Sequence, residues 1–470
     1  MSVIEEHIEG EQFRIAFVLP WSRMVLTECS SRTPRLPTLT VPLRTRTVRR
    51  LQEVVERTWE VKSLVLDILP KSERLPRCAI LEILSQDWEP SRYTLEPVRV
   101  EDIGETHLAE SEYIALNKML IGDSNDRGPL SKIGWIEEAK VWIQESVTNR
   151  TVQFSGELTQ FNAGGWFALL RLGVVDGPAY WLKATGDPNR HEFSVAQAIA
   201  QYCPLLSPPI VAVRSDWNCW VTEESGNPLE ECHSPCGYVQ AAHALAELQL
   251  ATIPYTSPLL GAGCFDQRLS TLRTHVPRMI QHLVELMKRQ SSTKVARITT
   301  ERLIELEQLL DKACSMLASL GIPDTLIHND LNPRNILFDG TRAVYTDWSE
   351  AGIGCPFLTF QHLTALSFET EYAQTLASTL KDTYTSHWLG VLDRSRIDHA
   401  LSLCPVVAIA SYLCGRDPLF ESPMRTDSAV EGYTRSLGRY LDRAAQRPDF
   451  LTTLMTQRRA VRDCSLESVA

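Results

Sequence analysis

Hydrophobic positions in the first ninety residues change period twice. They recur with the short spacing of strands over residues 13–20, 23–27, 61–69 and 78–84. Between the second and third stretches, a helical period over residues 47–58 places Val48, Leu51, Val54 and Val55 on one side. The resulting β-β-α-β-β order predicts a small α/β domain over residues 1–90.

The following stretch is polar and turn-rich until residue 131, where an amphipathic pattern begins. Residues 131–147 predict a helix whose apolar face carries Trp135, Ala139, Trp142 and Ile143. We expect a connector over residues 91–148.

Short strand-like stretches return after residue 149 and then give way to helices. Strands are predicted at 151–161, 166–172, 179–184, 210–213 and 220–224, with a helix at 191–201 before the fourth. Beyond a break at 225–229, helical spacing covers 238–252, 269–289, 297–320 and later segments to 446. The pattern predicts an α+β fold, with a small β-rich lobe over residues 149–225 and a helical lobe over residues 226–470.

Length and charge narrow the class of protein. The chain has 470 residues, too many for one core, and a formal net charge of -11. Nucleic acids require a basic face, so no nucleic-acid partner is expected, whereas a cationic small substrate is compatible with this charge. The acidic start has no apolar leader and the apolar window 404–414 is too short to span a bilayer. We therefore expect a cytoplasmic protein with no membrane partner.

Candidate chemistry is concentrated between His328 and Glu350. Asp330 is followed five positions later by Asn335, and Asp347 comes after a predicted hairpin. Strands are expected at 326–327, 336–338 and 343–345, with Asp339-Gly340 as a two-residue turn. Two carboxylates and an amide can therefore converge, which is the arrangement that a kinase uses to hold ATP and a hydroxyl substrate.

A second candidate feature lies upstream, where Lys183 falls in a strand and Glu192 opens the next helix. A buried ammonium needs a counter-charge, which Glu192 would supply. A lone lysine in a strand is more often a solvated edge residue, and both interpretations stay open. Gly164-Gly165, in the preceding turn, would let the chain fold closely over phosphates or form a plain β-turn.

The order His328-x-Asp330-x-x-x-x-Asn335, followed by Asp347-Trp348-Ser349-Glu350, resembles the aminoglycoside phosphotransferase and choline kinase-like family, a branch of the protein-kinase fold. The resemblance covers roughly residues 151–470. It implies ATP- and Mg²⁺-dependent transfer of the γ-phosphoryl group to a hydroxyl of a small molecule, such as an aminoglycoside, an amino alcohol, a sugar or another metabolite.

Carried over by position, the resemblance implies that Asp330 is the base and that His328 braces its loop. It also implies that Asn335 and Asp347 are the Mg²⁺ ligands and that Glu192 orients Lys183 on the phosphates of ATP. The order along the chain places adenine at the backbone of Thr222, Glu223 and Glu224. Two departures stand out: Asn329 replaces a common glycine, and the turn at Gly164-Gly165 lacks the G-x-G-x-x-G pattern.

The N-terminal element order resembles a Nudix-type domain, with Glu53 and Glu56 in the positions of metal-binding carboxylates. Other signature positions are changed, since Thr38 replaces glycine, and Arg44 and Arg57 replace glutamates. A guanidinium where a cation would bind implies a domain that has lost hydrolysis. Two glutamates on the wet face of an amphipathic helix explain the pattern equally well.

Two other functions remain open from the sequence. The chain would be a non-catalytic nucleotide-binding scaffold if the motif residues only bind ATP. It would be a diphosphate hydrolase if the N-terminal domain were an active Nudix enzyme.

Overall fold

The computed structural model describes residues 10–28, 34–42, 46–72, 75–103, 107–122, 127–148, 150–232, 234–367, 373–415 and 428–455. The chain forms two compact units, the first from residues 1–193 and 209–224 and the second from residues 194–208 and 225–470. The first is rich in strands and the second in helices, so the α+β class expected from the sequence is confirmed.

The first unit opens with a mixed sheet. Its strands are β1 (Gly10–Leu19), β2 (Met24–Glu28), β3 (Thr38–Pro42), β4 (Ser63–Ile68), β5 (Arg77–Ile83) and β6 (Leu95–Val98). They are arranged in the order β4-β5-β1-β2-β6, and β3 pairs with β1 outside this order. Strands β1 and β5 are parallel. Helix α1 (Thr47–Trp59) packs Leu51, Val55 and Trp59 into the core beneath β1. Strands β3 and β6 were not predicted, since they are short and β6 is an edge strand that contains Pro97.

The predicted connector contains more structure than its polarity suggested. It holds α2 (Glu110–Ile121) and α3 (Trp135–Ser146). Helix α2 escaped prediction because Glu112 lies on its buried side, where its carboxylate pairs with Arg14 at 2.5 Å. A buried charge of this kind is tolerated only with a partner, and here the partner is 98 residues away in sequence.

A second sheet completes the first unit. Its strands are β7 (Phe154–Asn162), β8 (Ala168–Val174), β9 (Tyr180–Ala184), β10 (Ile210–Arg214) and β11 (Cys219–Glu223). They are antiparallel in the order β10-β11-β9-β8-β7. One core cluster contains Ile80 of the first sheet, Trp135 of α3 and Leu182 of the second sheet. The subdivision at residues 90 and 148 stays a prediction, and a single core crosses both positions.

Helices dominate the second unit. They are α4 (Glu192–Tyr202, whose first two residues belong to the first unit), α5 (Leu229–Cys232), α6 (Pro235–Thr252), α7 (Thr256–Ala262), α8 (Leu269–Arg289), α9 (Thr300–Ser319), α10 (Pro356–Ser367), α11 (Ala373–Trp388), α12 (Arg394–Cys414) and α13 (Ser428–Ala445). Two three-stranded sheets accompany them. One contains β12 (Asn227–Pro228), β15 (Ile336–Phe338) and β16 (Ala343–Tyr345), and the other β13 (Phe265–Gln267), β14 (Thr325–His328) and β17 (Ala351–Gly354).

Helix α12 is longer than the apolar window at 404–414 suggested. By length and composition alone it is able to cross a membrane, but 61% of its apolar window is buried inside the protein. Ile397, Leu403 and Val407 are fully buried. This burial is typical of a core helix.

Candidate active site

The segment from His328 to Asn335 forms a loop between two small sheets of the second unit. Strand β14 ends at His328, which lies opposite Ala351 of β17, and β15 begins directly after Asn335. A short 3₁₀ turn at Pro333–Asn335 closes the loop, because the side-chain oxygen of Asn332 accepts a hydrogen bond from the Arg334 N–H at 3.0 Å. The strands predicted around this loop are confirmed.

Two side-chain amides fix Asp330. Asn335 donates its Nδ2 hydrogens to the Asp330 carbonyl at 2.8 Å and to its carboxylate Oδ2 at 3.2 Å. Asn332 reaches the same two oxygens at 3.3 and 3.4 Å. Asn335 is 7% exposed, and its carbonyl accepts from the Thr346 N–H at 3.0 Å. The loop therefore holds a carboxylate in one orientation beside a buried amide whose Oδ1 oxygen is suited to a hard cation.

His328 supports this loop from below. It is 2% exposed, its Nε2 lies 3.0 Å from the Thr346 carbonyl, and its ring packs on Trp348 with centroids 4.8 Å apart. Its backbone N–H donates to the hydroxyl of Thr359 at 3.1 Å. These contacts join the Asp330 loop to the strand that leads to Asp347, which is a positioning role.

Asp347 has an unusual backbone conformation. Its φ of +67° lies in the left-handed region, which costs a residue other than glycine roughly 1 kcal/mol. The Ser349 hydroxyl donates to the Asp347 Oδ1 at 3.2 Å. Strain that the surrounding structure maintains is concentrated at functional sites, so the conformation of Asp347 supports a role for its carboxylate.

The hairpin before Asp347 turns one residue later than predicted. The Asp339 N–H donates to the Arg342 carbonyl at 3.3 Å, so Gly340 and Thr341 are the central residues, and Gly340 has a φ of +98°. The Asp339 carboxylate accepts from the Thr341 and Arg342 N–H groups. The aspartate caps the turn instead of occupying its centre, as short acidic side chains do in such loops.

Asn329, which replaces the glycine common in the resembling family, is 5% exposed and donates its side-chain amide to the Glu350 carbonyl at 3.0 Å. Its side chain therefore joins the Asp330 loop to the segment after Asp347. No local pattern predicts this contact, because the two partners are 21 residues apart.

Lys183 and Glu192 form an ion pair in the first unit. Lys183 Nζ lies 2.5 Å from Glu192 Oε1, and the two side chains are 18% and 1% exposed. Strand β9 is the central strand of its sheet, and Lys183 lies between Leu169 of β8 and Trp220 of β11. The alternative interpretation of Lys183 as an exposed edge residue is therefore wrong.

The turn at Gly164-Gly165 is a true β-turn, closed by a hydrogen bond from the Phe167 N–H to the Gly164 carbonyl at 3.3 Å. Gly165 is required by packing, since a Cβ there would lie 1.3 Å from the Arg127 carbonyl oxygen. A Cβ at Gly164 would make only an ordinary contact with Phe167, at 3.9 Å. Close approach to the protein's own backbone is thus one reason for the glycine at position 165, and a role of the turn at phosphates stays a prediction.

The backbone around Glu223 and Glu224 is largely engaged within the first unit. Their N–H groups donate to the carbonyls of Pro209 and Ala179, at 3.0 and 2.9 Å. These two N–H groups are engaged with the protein's own carbonyls, and adenine binding at the backbone of Thr222 to Glu224 stays a prediction. The Glu224 side chain forms a two-point ion pair with Arg171 at 2.6 and 3.1 Å, which lowers the pKa of this carboxyl.

Other acidic candidates have simpler explanations. Glu53 pairs with Arg49 and Arg50 on the exposed face of α1, which favours the wet-face interpretation over a metal site. Arg334 of the Asp330 loop forms a two-point pair with Glu230 at 2.7 and 3.1 Å. Asp417, Glu421 and Asp427, whose charge would suit a cationic substrate, lie outside the described residues.

Comparison with known proteins finds a family model that matches part of the chain. The model of the phosphotransferase enzyme family matches residues 219–394, which include Asp330, Asn335 and Asp347 but not Lys183. No curated protein is similar enough in sequence to match the chain.

Solved structures that match the chain include two phosphotransferases and a member of the choline/ethanolamine kinase family. A choline/ethanolamine kinase family protein from Mesorhizobium loti shares 17% identity over 68% of this chain and 97% of its own, with a TM-score of 0.42. A macrolide 2'-phosphotransferase from Brachybacterium faecium shares 14% identity over 64% of this chain and 97% of its own, with a TM-score of 0.43. An aminoglycoside phosphotransferase from Alicyclobacillus acidocaldarius shares 14% identity over 67% of this chain and 93% of its own, with a TM-score of 0.38. Residues 219–394 are therefore the part of the chain that is similar to the phosphotransferase enzyme family.

Proposed function

We propose that this protein transfers the γ-phosphoryl group of ATP, with Mg²⁺, to a hydroxyl of a small cytoplasmic metabolite or antibiotic. The observation that carries the proposal is the Asp330 loop. Within the family-matched segment, Asn335 fixes the Asp330 carboxylate, and Asp347 is held in a strained conformation after the next hairpin.

Asp330 is assigned to the acceptor hydroxyl. A carboxylate held by two amides is placed to accept the hydroxyl proton or to orient the oxygen for attack. Phosphoryl transfer depends mainly on positioning and on neutralising the phosphate oxygens, so the fixed orientation of Asp330 is its contribution.

Asn335 of this loop and Asp347 after the next hairpin fit a magnesium ion. Magnesium prefers a few hard oxygen ligands and keeps water or phosphate oxygens for the rest. The Asp347 carboxylate and the Asn335 amide oxygen would supply two, since the NH₂ group of Asn335 is already bound to Asp330. When bound, Mg²⁺ would neutralise charge on the phosphate groups. Lys183, oriented by Glu192, would bind the phosphates of ATP.

The acceptor class is tested by a screen for ADP release. The panel contains aminoglycosides, macrolides, amino alcohols, sugars and nucleosides, each with MgATP and the full chain. We expect release above the acceptor-free rate with at least one class, and a loss of roughly 100- to 10,000-fold in Asp330→Asn. Asp398→Asn, an exposed acid of the same unit paired with Arg394, is the matched control and should match the wild type.

The same screen tests the scaffold alternative. ATP binding without transfer to any acceptor on the panel would favour a nucleotide-binding scaffold over the proposed kinase. Mg²⁺-dependent cleavage of diphosphates that is lost in Glu56→Gln would instead favour hydrolysis by the N-terminal domain.

A further inference from the structure

The two sheets of the first unit are joined where their edge strands, β4 and β7, approach one another. Gln160 of β7 is fully buried, and its side-chain amide forms hydrogen bonds with both the N–H and the carbonyl of Val65. The Val65 N–H donates to Gln160 Oε1 at 2.9 Å, and Gln160 Nε2 donates to the Val65 carbonyl at 2.8 Å. A single side chain therefore replaces a neighbouring strand at this point of the β4 edge.

Gln52 of α1 makes a second link beside the first. Its Oε1 accepts from the Gln160 backbone N–H, and its Nε2 donates to the Ser63 carbonyl, both at 2.9 Å. The ladder between β7 and β8 shifts register between Gln160 and Asn162, immediately before the glycine turn. The β7 backbone is thus held by the first sheet where it leaves the regular pairing with β8.

A residue of β4 also binds the segment that packs against the tip of this turn. Asp67, which follows the irregularity in β4, forms a close ion pair with Arg127. The next residue, Gly128, lies against the Gly165 carbonyl so tightly that a Cβ at either glycine would overlap the other segment. The Leu130 N–H also donates to the Gly165 carbonyl at 3.0 Å.

We infer that the N-terminal sheet positions the Gly164-Gly165 turn for nucleotide binding, through Gln160 at its base and the Asp67–Arg127–Gly128 contact at its tip. This inference rests on the proposed function and on the role at the phosphates of ATP that the sequence predicts for the turn. These residues are positioning residues and touch no reacting atom. Holding a glycine turn before the ligand arrives removes an ordering cost that binding would otherwise bear.

The first test uses Gly165→Ala and Asp67→Asn in the full chain. Gly165 does not have a positive φ, so alanine is opposed there by the Arg127 carbonyl and not by backbone strain. We expect each substitution to weaken MgATP binding and raise its KM about tenfold, with kcat changed little. A higher KM with a nearly unchanged kcat would indicate a positioning role, because the loss of a catalytic residue would lower kcat.

The control is Glu138→Gln, which removes an ion pair between α3 and Arg214 of β10 in the same unit. This pair does not contact the turn, so nucleotide affinity should match the wild type. Hydrogen exchange supplies a readout that is independent of nucleotide. Amides of residues 161–168 should exchange faster in Asp67→Asn and in Gln160→Met, and at the wild-type rate in Glu138→Gln.

Wild-type nucleotide affinity and wild-type exchange of the turn in both Gly165→Ala and Asp67→Asn would overturn the inference. If a variant is unstable, exchange of the turn relative to the β8 and β9 amides, measured below its melting temperature, still decides the question. Failure of the wild-type chain to bind MgATP would overturn the proposed function instead, while faster exchange in Asp67→Asn would still show that β4 holds the turn.

Discussion

Replacing Glu192 by glutamine removes the charge that faces Lys183 and keeps the shape of the side chain. At 2.5 Å, two unit charges attract by about 7 kcal/mol with an effective dielectric constant of about 20, which is an upper limit. Desolvation of the two groups, 1% and 18% exposed, offsets much of this attraction. Because removing one partner leaves the other charge in a poorly solvated position, we expect Glu192→Gln to lower the free energy of unfolding by about 3 kcal/mol.

A misplaced lysine also alters catalysis. Displacing a phosphate-binding group by about 1 Å lowers rates by roughly a hundredfold, and we expect a loss of that order in kcat/KM for MgATP. The measurement is a double-mutant cycle with Lys183→Met, read by urea unfolding and by steady-state kinetics. The control is Glu138→Gln, whose partly exposed pair with Arg214 should contribute less than about 1 kcal/mol. A coupling energy below about 0.5 kcal/mol between residues 183 and 192, with kcat/KM unchanged, would refute this reasoning.

Three further predictions concern other parts of the chain. Burial raises the pKa of the Glu82 carboxyl to about 7, so the folded chain retains a proton that the unfolded chain releases near its ordinary pKa of 4.5. Stability therefore falls as the pH rises between these two values, and Glu82→Gln should flatten that fall when urea unfolding is measured at pH 5 and pH 8. Asn329→Gly removes the donor to the Glu350 carbonyl and should lower the free energy of unfolding by about 1–3 kcal/mol; an equal stability would show that the amide bond contributes nothing. Among the described cysteines, iodoacetamide should modify exposed Cys236 first, as peptide mapping would show, and early labelling of Cys78, whose pKa burial raises to about 12, would contradict the structure.

The structure of the Asp330 loop was predictable because its contacts are local. Asn335 reaches Asp330 across five positions, and the flanking strands are apolar stretches bounded by turn residues. Only the placement of the hairpin turn was off by one residue, since Asp339 uses its carboxylate to cap the turn. The motif order alone was sufficient to anticipate the phosphotransferase family that the comparison then identified over residues 219–394.

The features that the sequence missed or left open share a physical cause. Helix α2 was missed because the burial of Glu112 depends on Arg14, which is distant in sequence. The position of Lys183 stayed open because it depends on which strands pair with β9, and no periodicity within β9 indicates that order. The close approach of Gly165 to the Arg127 carbonyl also involves residues distant in sequence, and a role of Gly165 at phosphates stays a prediction.

The sequence by itself determined most of the helices and strands and the order of the candidate catalytic residues, and it indicated the class of reaction proposed here, because hydrophobic period, turn chemistry and motif spacing all act within a few residues. The tertiary structure alone decided that the N-terminal sheet and the Lys183 sheet share one core and that β4 reaches the glycine turn through Gln160 and Asp67. Such contacts join residues about 60 to 95 positions apart. They form because an unpaired backbone group or charge is costly when it is buried. A local sequence pattern does not predict them.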